Sequence, residues 1–220
     1  MDAIPAATVV LARDTKHGPE VLMLRRNSQI AFGGMWVFPG GRVDPADLEG
    51  LAEGDELTAA RRAAVREAHE EAGLVVDIDG LVTFSHWVPP PEAPKRFSTW
   101  FFLARAPDAV VAIDGGEIHD HEWLRPADAV ARRDAGEIEL APPTWVTLWR
   151  LSTAADVDAA MAEAGRAQPE RFQTHIGKQD GVPTAIWHGD AAYETGDTDA
   201  PGPRHRLSMS RDGWRYERSS

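Results

Sequence analysis

Cysteine is absent from the 220 residues of the chain. Without thiols the protein cannot form disulfides, thiolate zinc sites, iron–sulfur clusters or a cysteine nucleophile. A surplus of positive charge is also missing, since 35 acidic residues against 23 basic ones give a net charge of −12. Such a surface repels polyanions, which argues against nucleic acid polymers as partners. A small anionic substrate can still bind if a metal cation links it to the protein.

Long apolar runs are missing as well. No stretch approaches the roughly 20 apolar residues of a membrane span, and the opening "MDAIPAATVVLARDTKHGPE" is a poor secretion signal because Arg13 breaks its short apolar run. We therefore expect a cytoplasmic protein that does not enter the membrane. The phosphate-binding patterns G-x-G-x-x-G and G-K-[ST] do not occur, so nucleotide binding by those loops is not predicted.

The residues that are present predict one domain with a core, since 43% of them are apolar. Strand-like runs alternate with helical segments without forming regular βαβ units. This favours an α/β (α+β) fold in which helices sandwich a mixed central sheet. We predict strands at 8–12, 21–26, 81–88, 98–106 and 121–126, and helices at 58–72, 126–136, 142–153 and 154–165. We also predict a short strand leading into a Pro-Gly-Gly turn within 35–44, a core role for Trp145, Leu148, Trp149 and Leu151, and a hairpin turning at Asp212-Gly213.

The stretch "REAHEEAGL" (66–74) places Glu67, Glu70 and Glu71 on one face of the strongest predicted helix. Like charges at this spacing weaken a helix unless something neutralises them. A hard divalent cation such as Mg²⁺ or Mn²⁺ would do so, because these ions prefer oxygen ligands. The alternative is a solvated acidic face paired with arginines, and these nine residues alone leave both interpretations open.

The combination of "FPGG" (38–41) with "REAHEEAGL" resembles the Nudix hydrolase family, whose pattern is G-x5-E-x7-R-E-U-x-E-E-x-G-U with U a bulky aliphatic residue. Gly41 matches the first glycine, and Ala68 is smaller than the pattern asks. From Gly41 to Arg66 there are 25 positions where the pattern has 14, which implies an 11-residue insertion. The glutamate expected eight positions before Arg66 falls on Thr58, and three acids are alternatives for its structural role: Asp44, Asp55 and Glu56.

The resemblance implies a Nudix-type α/β/α sandwich that hydrolyses the pyrophosphate linkage of a nucleoside diphosphate joined to another group. It implies Mg²⁺ or Mn²⁺ held by Glu67, Glu70, Glu71 and the carbonyl of Gly40, with Arg66 orienting a glutamate. The general base is Glu67 or Glu117, since some family members use a loop acid six residues before a tryptophan, here Trp123. A solvated loop acid is the alternative for Glu117. Candidates for substrate binding are Arg25, Arg26, Arg96 and Trp36.

Within the family, the insertion and three segments resemble the peroxisomal-type coenzyme A diphosphatases and their bacterial relatives. The segments are "VFPGGRVDPAD" (37–47), "PKRFSTWFFLA" (94–104) and "LAPPTWVTLWRL" (140–151). The resemblance implies a hydrolase domain at 1–151, with an insertion at about 45–56, and a C-terminal helix and hairpin extension at 152–220 packed on the same domain. That extension either caps the pocket or forms a homodimer contact.

Three other functions compete. ADP-ribose or dinucleotide cofactors are alternative substrates, and a nucleotide-binding module without activity is a further possibility, although such modules usually lose the glutamates retained here. Isomerisation of isopentenyl diphosphate, which a similar fold supports, is excluded in its usual form because it uses a cysteine.

Overall fold

The computed structural model describes residues 3–27 and 34–219, which form two compact units. Among these residues, the larger unit comprises 5–27, 34–86 and 99–170, and the smaller comprises 3–4, 87–98 and 171–219. The division into a domain at 1–151 and an extension at 152–220 stays a prediction. None of the helices in the described ranges combines the length and apolar character needed to cross a membrane.

The larger unit contains four α-helices and the strands of a central sheet. Its strands are β1 (Ile4–Thr15), β2 (Gly18–Arg26), β3 (Trp36–Val37), β4 (Gly40–Arg42), β5 (Val82–Val88), β6 (Phe97–Arg105) and β7 (Ile118–Leu124); the ends of β1, β5 and β6 reach into the smaller unit. Its helices are α1 (Glu56–Ala72), α2 (Pro126–Asp134), α3 (Pro142–Leu151) and α4 (Val157–Arg166), with 3-10 turns at Pro45–Leu48 and Ile78–Gly80.

The sheet runs in the order β3-β2-β1-β6-β5, with β4 also paired to β1 and β7 to β2. Strand β1 is long enough to pair with three strands: with β4 through Ala6–Thr8, with β2 through Ala12–Thr15, and with β6. The prediction of an α/β fold with a mixed central sheet is confirmed.

Helix α1 packs on this sheet through alanines. Ala60, Ala63, Ala64, Ala68 and Ala72 are buried in one cluster with sheet residues that include Val9, Leu22 and Phe102. Small side chains let the helix approach the sheet closely, so a larger residue at these positions would overpack the core by about 1–3 kcal/mol. The helix is therefore held close to the sheet along its alanine face.

Both ends of α1 are fixed by local sequence. Asp55 caps the first turn by accepting a hydrogen bond from the Thr58 N–H at 3.3 Å. At the other end Gly73 has a left-handed φ of 68° and donates to the His69 carbonyl at 2.9 Å. The predicted helix and its glycine stop are confirmed, and the helix begins at Glu56, two residues earlier than predicted.

Three local predictions were right only in part. The predicted short strand is β3 and Pro39 lies in a bend after it, but Gly40 and Gly41 belong to strand β4, in which Gly40 pairs with Thr8. A Cβ at Gly40 would lie 2.5 Å from the Ala7 carbonyl oxygen, so glycine serves close strand approach here. Trp149 is 43% exposed, whereas Trp145, Leu148 and Leu151 of the same helix are buried as predicted. The predicted hairpin is formed by β11 (His205–Ser210) and β12 (Gly213–Arg218), but its loop is Arg211-Asp212, one residue earlier than predicted, and Gly213 already pairs with Ser210.

The smaller unit has its own sheet and core. Its strands are β8 (Glu170–Gln173), β9 (His175–Gln179), β10 (Val182–Ile186), β11 (His205–Ser210) and β12 (Gly213–Arg218), of which four form a sheet in the order β12-β11-β10-β9. Trp87 stacks on Phe172 with ring centroids 3.9 Å apart, and Trp187 meets both rings edge-on. A buried ion pair between Asp190 and Arg206 lies in the same unit.

Candidate active site

The three glutamates of α1 occupy different environments although they share a helix face. Glu71 is buried, with 6% of its side chain exposed, and Glu67 is mostly buried, at 14%. Glu70 is 54% exposed. The two inner carboxylates face strand β4, which passes beside the C-terminal half of the helix. The site therefore combines two desolvated carboxylates with one that solvent reaches.

Glu71 is fixed by the backbone of β4. Its Oε2 accepts a hydrogen bond from the Gly40 N–H at 2.9 Å, and its Oε1 lies 3.9 Å from Nη2 of Arg26. Burial outweighs both of these interactions and raises the pKa of Glu71 to about 7. A carboxyl group with this pKa is in equilibrium between its charged and neutral forms near neutral pH.

Glu67 lies directly over Gly41. A Cβ built on Gly41 would overlap the Glu67 carboxylate, so only glycine leaves this space free. Burial raises the pKa of Glu67, while the neighbouring Arg66 opposes the shift. Two consecutive glycines of β4 thus each contact one buried carboxylate of α1.

Arg66 holds the carboxylates from outside. Its Nη1 donates to Glu67 at 2.8 Å and to Glu70 at 2.9 Å, and its Nη2 donates to the carbonyl of Arg42 at 2.8 Å. Asp47 receives the remaining donors, from Nη2 at 3.0 Å and from Nε at 3.4 Å. Burial lowers the pKa of Arg66, but the hydrogen bonds to Asp47 and Glu67 outweigh it and raise that pKa overall. The guanidinium stays charged and joins β4, the 3-10 turn and α1.

Asp47 is the acid in contact with Arg66 that sequence reasoning missed. None of the three acids considered in its place occupies that position: Asp55 caps α1, Glu56 is exposed in its first turn, and Asp44 is 3.8 Å from Arg66 with a mostly exposed side chain. The signal was available in the sequence, because Asp47 lies six positions after Gly41, where G-x5-E places its acid. The position eight residues before Arg66 is Thr58 instead, since 18 residues separate Asp47 from Arg66 where the pattern has 7.

Glu117 comes to the same site from the loop before β7. Its Oε2 accepts a hydrogen bond from Nη2 of Arg26 at 2.6 Å, and 60% of its side chain is exposed. The same guanidinium is the one that approaches Glu71. Arg26 thus lies between the loop acid and the helix acid.

The other predicted substrate residues lie in different surroundings. Arg25 is exposed on β2, beside Trp36 in the strand register. Trp36 is only 7% exposed, which leaves little of its ring open for stacking. Arg96 belongs to the smaller unit, where its carbonyl accepts from the Ile4 N–H. Their roles in substrate binding stay predictions.

The donor chemistry fits a hard divalent cation. Two carboxylates with pKa values raised by burial lie against a strand whose glycines allow this close approach, and a cation is what would stabilise their charged forms. As the side chains stand, no three acidic or histidine groups within the described ranges are grouped as a metal site. Glu67 and Glu70 instead each accept a hydrogen bond from Arg66 at one carboxylate oxygen.

Comparisons with known proteins agree with this architecture. The NUDIX domain matches residues 3–146. The Caenorhabditis elegans protein "Putative nudix hydrolase 7" is 30% identical to this chain, in a match that covers 70% of this chain and 62% of the relative. The chain thus spans less than two thirds of that relative's length.

Solved structures give the same fold. A NUDIX hydrolase from Alicyclobacillus acidocaldarius is 26% identical, with a TM-score of 0.67 over 74% of this chain and 96% of that one. The NUDIX domain of Shewanella oneidensis NrtR, determined with ADP ribose, is 19% identical, with a TM-score of 0.50 over 68% of this chain and 86% of that one; it shows the fold alone. The matched domain, which covers more than half of the chain, and the Nudix relatives show that the chain belongs to the Nudix family.

Proposed function

We propose that the chain catalyses metal-dependent hydrolysis of the pyrophosphate linkage in a nucleoside diphosphate joined to a second group, with coenzyme A and its acyl thioesters as substrates. The observation that carries the activity is the pair of buried carboxylates, Glu67 and Glu71, held against Gly41 and Gly40. Burying two carboxylates side by side is unfavourable unless their charge is compensated. Binding of a cation at this site would compensate it.

Glu67, Glu70, Glu71 and the Gly40 carbonyl would hold Mg²⁺ or Mn²⁺. The ion supplies charge neutralisation at the diphosphate oxygens and a lowered pKa of bound water. In the overall reaction the oxygen of water bonds to one phosphorus as the bridging P–O bond breaks, and a phosphate monoester leaves.

The chain's own residues orient groups and move a proton in this reaction. Arg66 fixes the positions of Glu67 and Glu70 through its two bonds from Nη1. Glu117 is exposed enough for a water molecule to reach, so its carboxylate accepts the proton of the attacking water. Glu67 is the alternative base, and it has the more buried carboxylate.

The choice of coenzyme A rests on the branch resemblance of segments 37–47, 94–104 and 140–151 and on the insertion. The insertion lies between Asp47 and Arg66, and the hydrogen bond between these two residues is intact beside it. Specificity follows the residues of a site more than its fold, so the substrate is a separate part of the proposal from the activity.

A substrate panel tests both parts. The chain is incubated with Mg²⁺ or Mn²⁺ and coenzyme A, acetyl-coenzyme A, ADP-ribose, NADH or a nucleoside triphosphate, and products are identified by mass spectrometry. Adenosine 3′,5′-bisphosphate together with a phosphopantetheine product is the expected result. AMP from ADP-ribose without those products would overturn the coenzyme A assignment but not the activity. Nucleotide binding without turnover on any substrate would show a binding module instead of an enzyme.

Matched variants of α1 connect the activity to the site. Glu70→Gln and Glu71→Gln should each reduce kcat by several orders of magnitude. Glu56→Gln is the control, because Glu56 is an exposed glutamate in the first turn of the same helix. Near-wild-type activity of both Glu70→Gln and Glu71→Gln would show that the metal lies elsewhere.

A further inference from the structure

Arg26 is the last residue of β2, and its guanidinium contacts two carboxylates from different elements. Nη2 is 2.6 Å from Glu117 Oε2 and 3.9 Å from Glu71 Oε1. The side chain is only 18% exposed. Its Nε is buried and makes no hydrogen bond to any described residue. A buried donor left unpaired is unfavourable. We take the contacts of Nη2 with the two carboxylates as the reason that the guanidinium nevertheless lies here.

The loop that carries Glu117 is built to end at this point. The Asp114 carboxylate accepts hydrogen bonds from the N–H groups of Glu117 at 2.9 Å and Ile118 at 3.0 Å, which fold residues 114–118 into a tight turn. The Asn27 N–H donates to the Glu117 carbonyl at 2.8 Å. The backbone of the loop is therefore tied to the end of β2 without help from the Arg26 side chain.

An irregularity in the sheet accompanies this arrangement. In the β2–β7 register, Arg25 faces Asp120 whereas Arg26 faces Ile118, so His119 is left without a partner in the ladder. Such a bulge bends the strand and re-aims the side chains next to it. Here it lies immediately beside Glu117, at the end of β7 that faces Arg26.

We propose that Arg26 is a positioning residue that holds the Glu117 carboxylate beside Glu71, so that the loop acid becomes part of the reaction centre. The inference rests on the proposed function. A charge-assisted hydrogen bond of this length fixes a side chain that solvent would otherwise leave free among rotamers. The backbone places the loop, and Arg26 places its carboxylate.

This role differs from the predicted one, in which Arg26 binds a substrate phosphate. If Arg26 bound a substrate phosphate, its removal would lower the affinity of the protein for the substrate, and KM would rise. A positioning residue instead changes the chemical step, so kcat falls while KM stays nearly constant. The two roles also differ in their coupling to Glu117.

The test compares Arg26→Gln, Arg26→Lys, Glu117→Gln and the Arg26→Gln/Glu117→Gln double variant on the best substrate of the wild-type chain. Glu117→Gln should reduce kcat by about 100-fold or more, the contribution of a general base. Arg26→Gln should reduce kcat by about tenfold or more with KM within about twofold. Arg26→Lys should recover part of the loss, and the double variant should be no slower than Glu117→Gln alone.

Two controls separate positioning from stability. Arg13→Gln removes another arginine–glutamate pair of the β1–β2 hairpin, Arg13 with Glu20 at 2.8 Å, and should leave kcat and KM unchanged. Hydrogen exchange of residues 114–118 in the metal-free protein should be the same in Arg26→Gln and wild type, since the loop backbone has its own bonds. Faster exchange there with a parallel loss of kcat would show a structural role and overturn the inference.

The remaining outcomes are equally decisive. A tenfold rise in KM at constant kcat, or losses that multiply in the double variant, would assign Arg26 to substrate binding. Wild-type kcat in Glu117→Gln would remove the loop acid from the reaction. If the wild-type chain hydrolyses no diphosphate, the proposed function fails; if it is active and Arg26→Gln is equally active, only the inference about Arg26 fails.

Discussion

Arg66 binds both carboxylate oxygens of Asp47, with Nη2 3.0 Å from Oδ2 and Nε 3.4 Å from Oδ1. Asp47 is buried, and its Oδ2 also accepts the N–H of Asp44 at 2.9 Å. Nη1 of Arg66 also donates to Glu67 and Glu70. The Asp47–Arg66 pair therefore links the 3-10 turn to the carboxylates of α1. The 11 extra residues between Asp47 and Arg66 leave this contact intact.

The first prediction concerns this pair. Asp47→Asn removes the charge that faces Arg66, and an amide offers one acceptor oxygen where the carboxylate offers two. We expect a loss of about 2 kcal/mol in the free energy of unfolding, measured by urea denaturation. We also expect a lower kcat, because Arg66 loses the anchor that orients Glu67.

Thr58→Glu is the matched test of the alternative position. It restores the glutamate eight residues before Arg66, yet Thr58 lies in the first turn of α1, where Asp55 accepts its N–H. The single variant should be close to neutral, and the Asp47→Asn/Thr58→Glu double variant should stay as impaired as Asp47→Asn. Recovery in the double variant would show that position 58 can replace Asp47.

The second prediction separates the two glycines of β4. Gly41→Ala places its Cβ against the flexible end of Glu67, so the carboxylate must move while the strand stays paired. We expect activity to fall by about tenfold or more, with little change in the midpoint of thermal unfolding. Gly40→Ala instead meets backbone atoms, with the Ala7 oxygen at 2.5 Å and the Thr8 Cα at 2.8 Å. It should cost about 1–3 kcal/mol of stability. Equal stability of the two variants would contradict this distinction.

The prediction of α1 succeeded because its signals are local. The alanine-rich sequence has high helix propensity, Asp55 is a strong N-cap residue, and Gly73 ends the helix at a left-handed residue. None of these features depends on where the rest of the chain lies. The same holds for the side of the helix that carries its glutamates.

Asp47 and β4 were harder because their roles depend on distant residues. Nothing local marks Gly40 and Gly41 as a strand; their pairing with Ala7 and Thr8 and the carboxylates above them make glycine necessary. Similarly, Asp47 meets Arg66 across 19 positions of sequence, and the inserted residues hid the spacing. Contacts that the fold creates between distant residues need the structure to be recognised.

The third prediction uses the raised pKa of Glu71. Its pKa is about 7 in the folded protein and 4.5 as the reference for the unfolded chain. Between these values the folded protein binds more protons at Glu71 than the unfolded chain does. The stability that Glu71 contributes is therefore complete below pH 4.5 and is lost as the pH rises through 7. At about 1.4 kcal/mol per pH unit, the contribution lost is about 3 kcal/mol.

The measurement is the free energy of unfolding against pH in the presence of a chelator. Glu71→Gln should show a smaller decrease over this range, because the glutamine does not titrate and can still accept the Gly40 N–H. Parallel curves for the variant and the wild type would contradict the assignment. Added Mg²⁺ should reduce the difference, since cation binding stabilises the charged carboxylate.

The fourth prediction concerns the buried ion pair of the smaller unit. Arg206 donates from Nε to Asp190 Oδ2 at 2.7 Å and from Nη2 to Oδ1 at 2.6 Å, and neither side chain is exposed. Asp190→Asn leaves the buried guanidinium without its charge partner, and we expect a loss of about 3–5 kcal/mol. Hydrogen exchange of strands β10 and β11 measures this in the unit itself. Asp180→Asn is the control, because Asp180 is exposed and its φ of 50° suits asparagine.

The same pair predicts a pH dependence of opposite sign to that of Glu71. Burial alone would raise the pKa of Asp190, but the hydrogen bonds from Arg206 and from the N–H groups of Ala192 and His205 lower it to about 2. The stability it contributes is complete above 3.8 and is lost as the pH falls through 2. Wild type should therefore lose its advantage over Asp190→Asn by about 2 kcal/mol across this range. A difference between the two proteins that stays constant down to pH 2 would show that the pair does not favour the charged carboxylate.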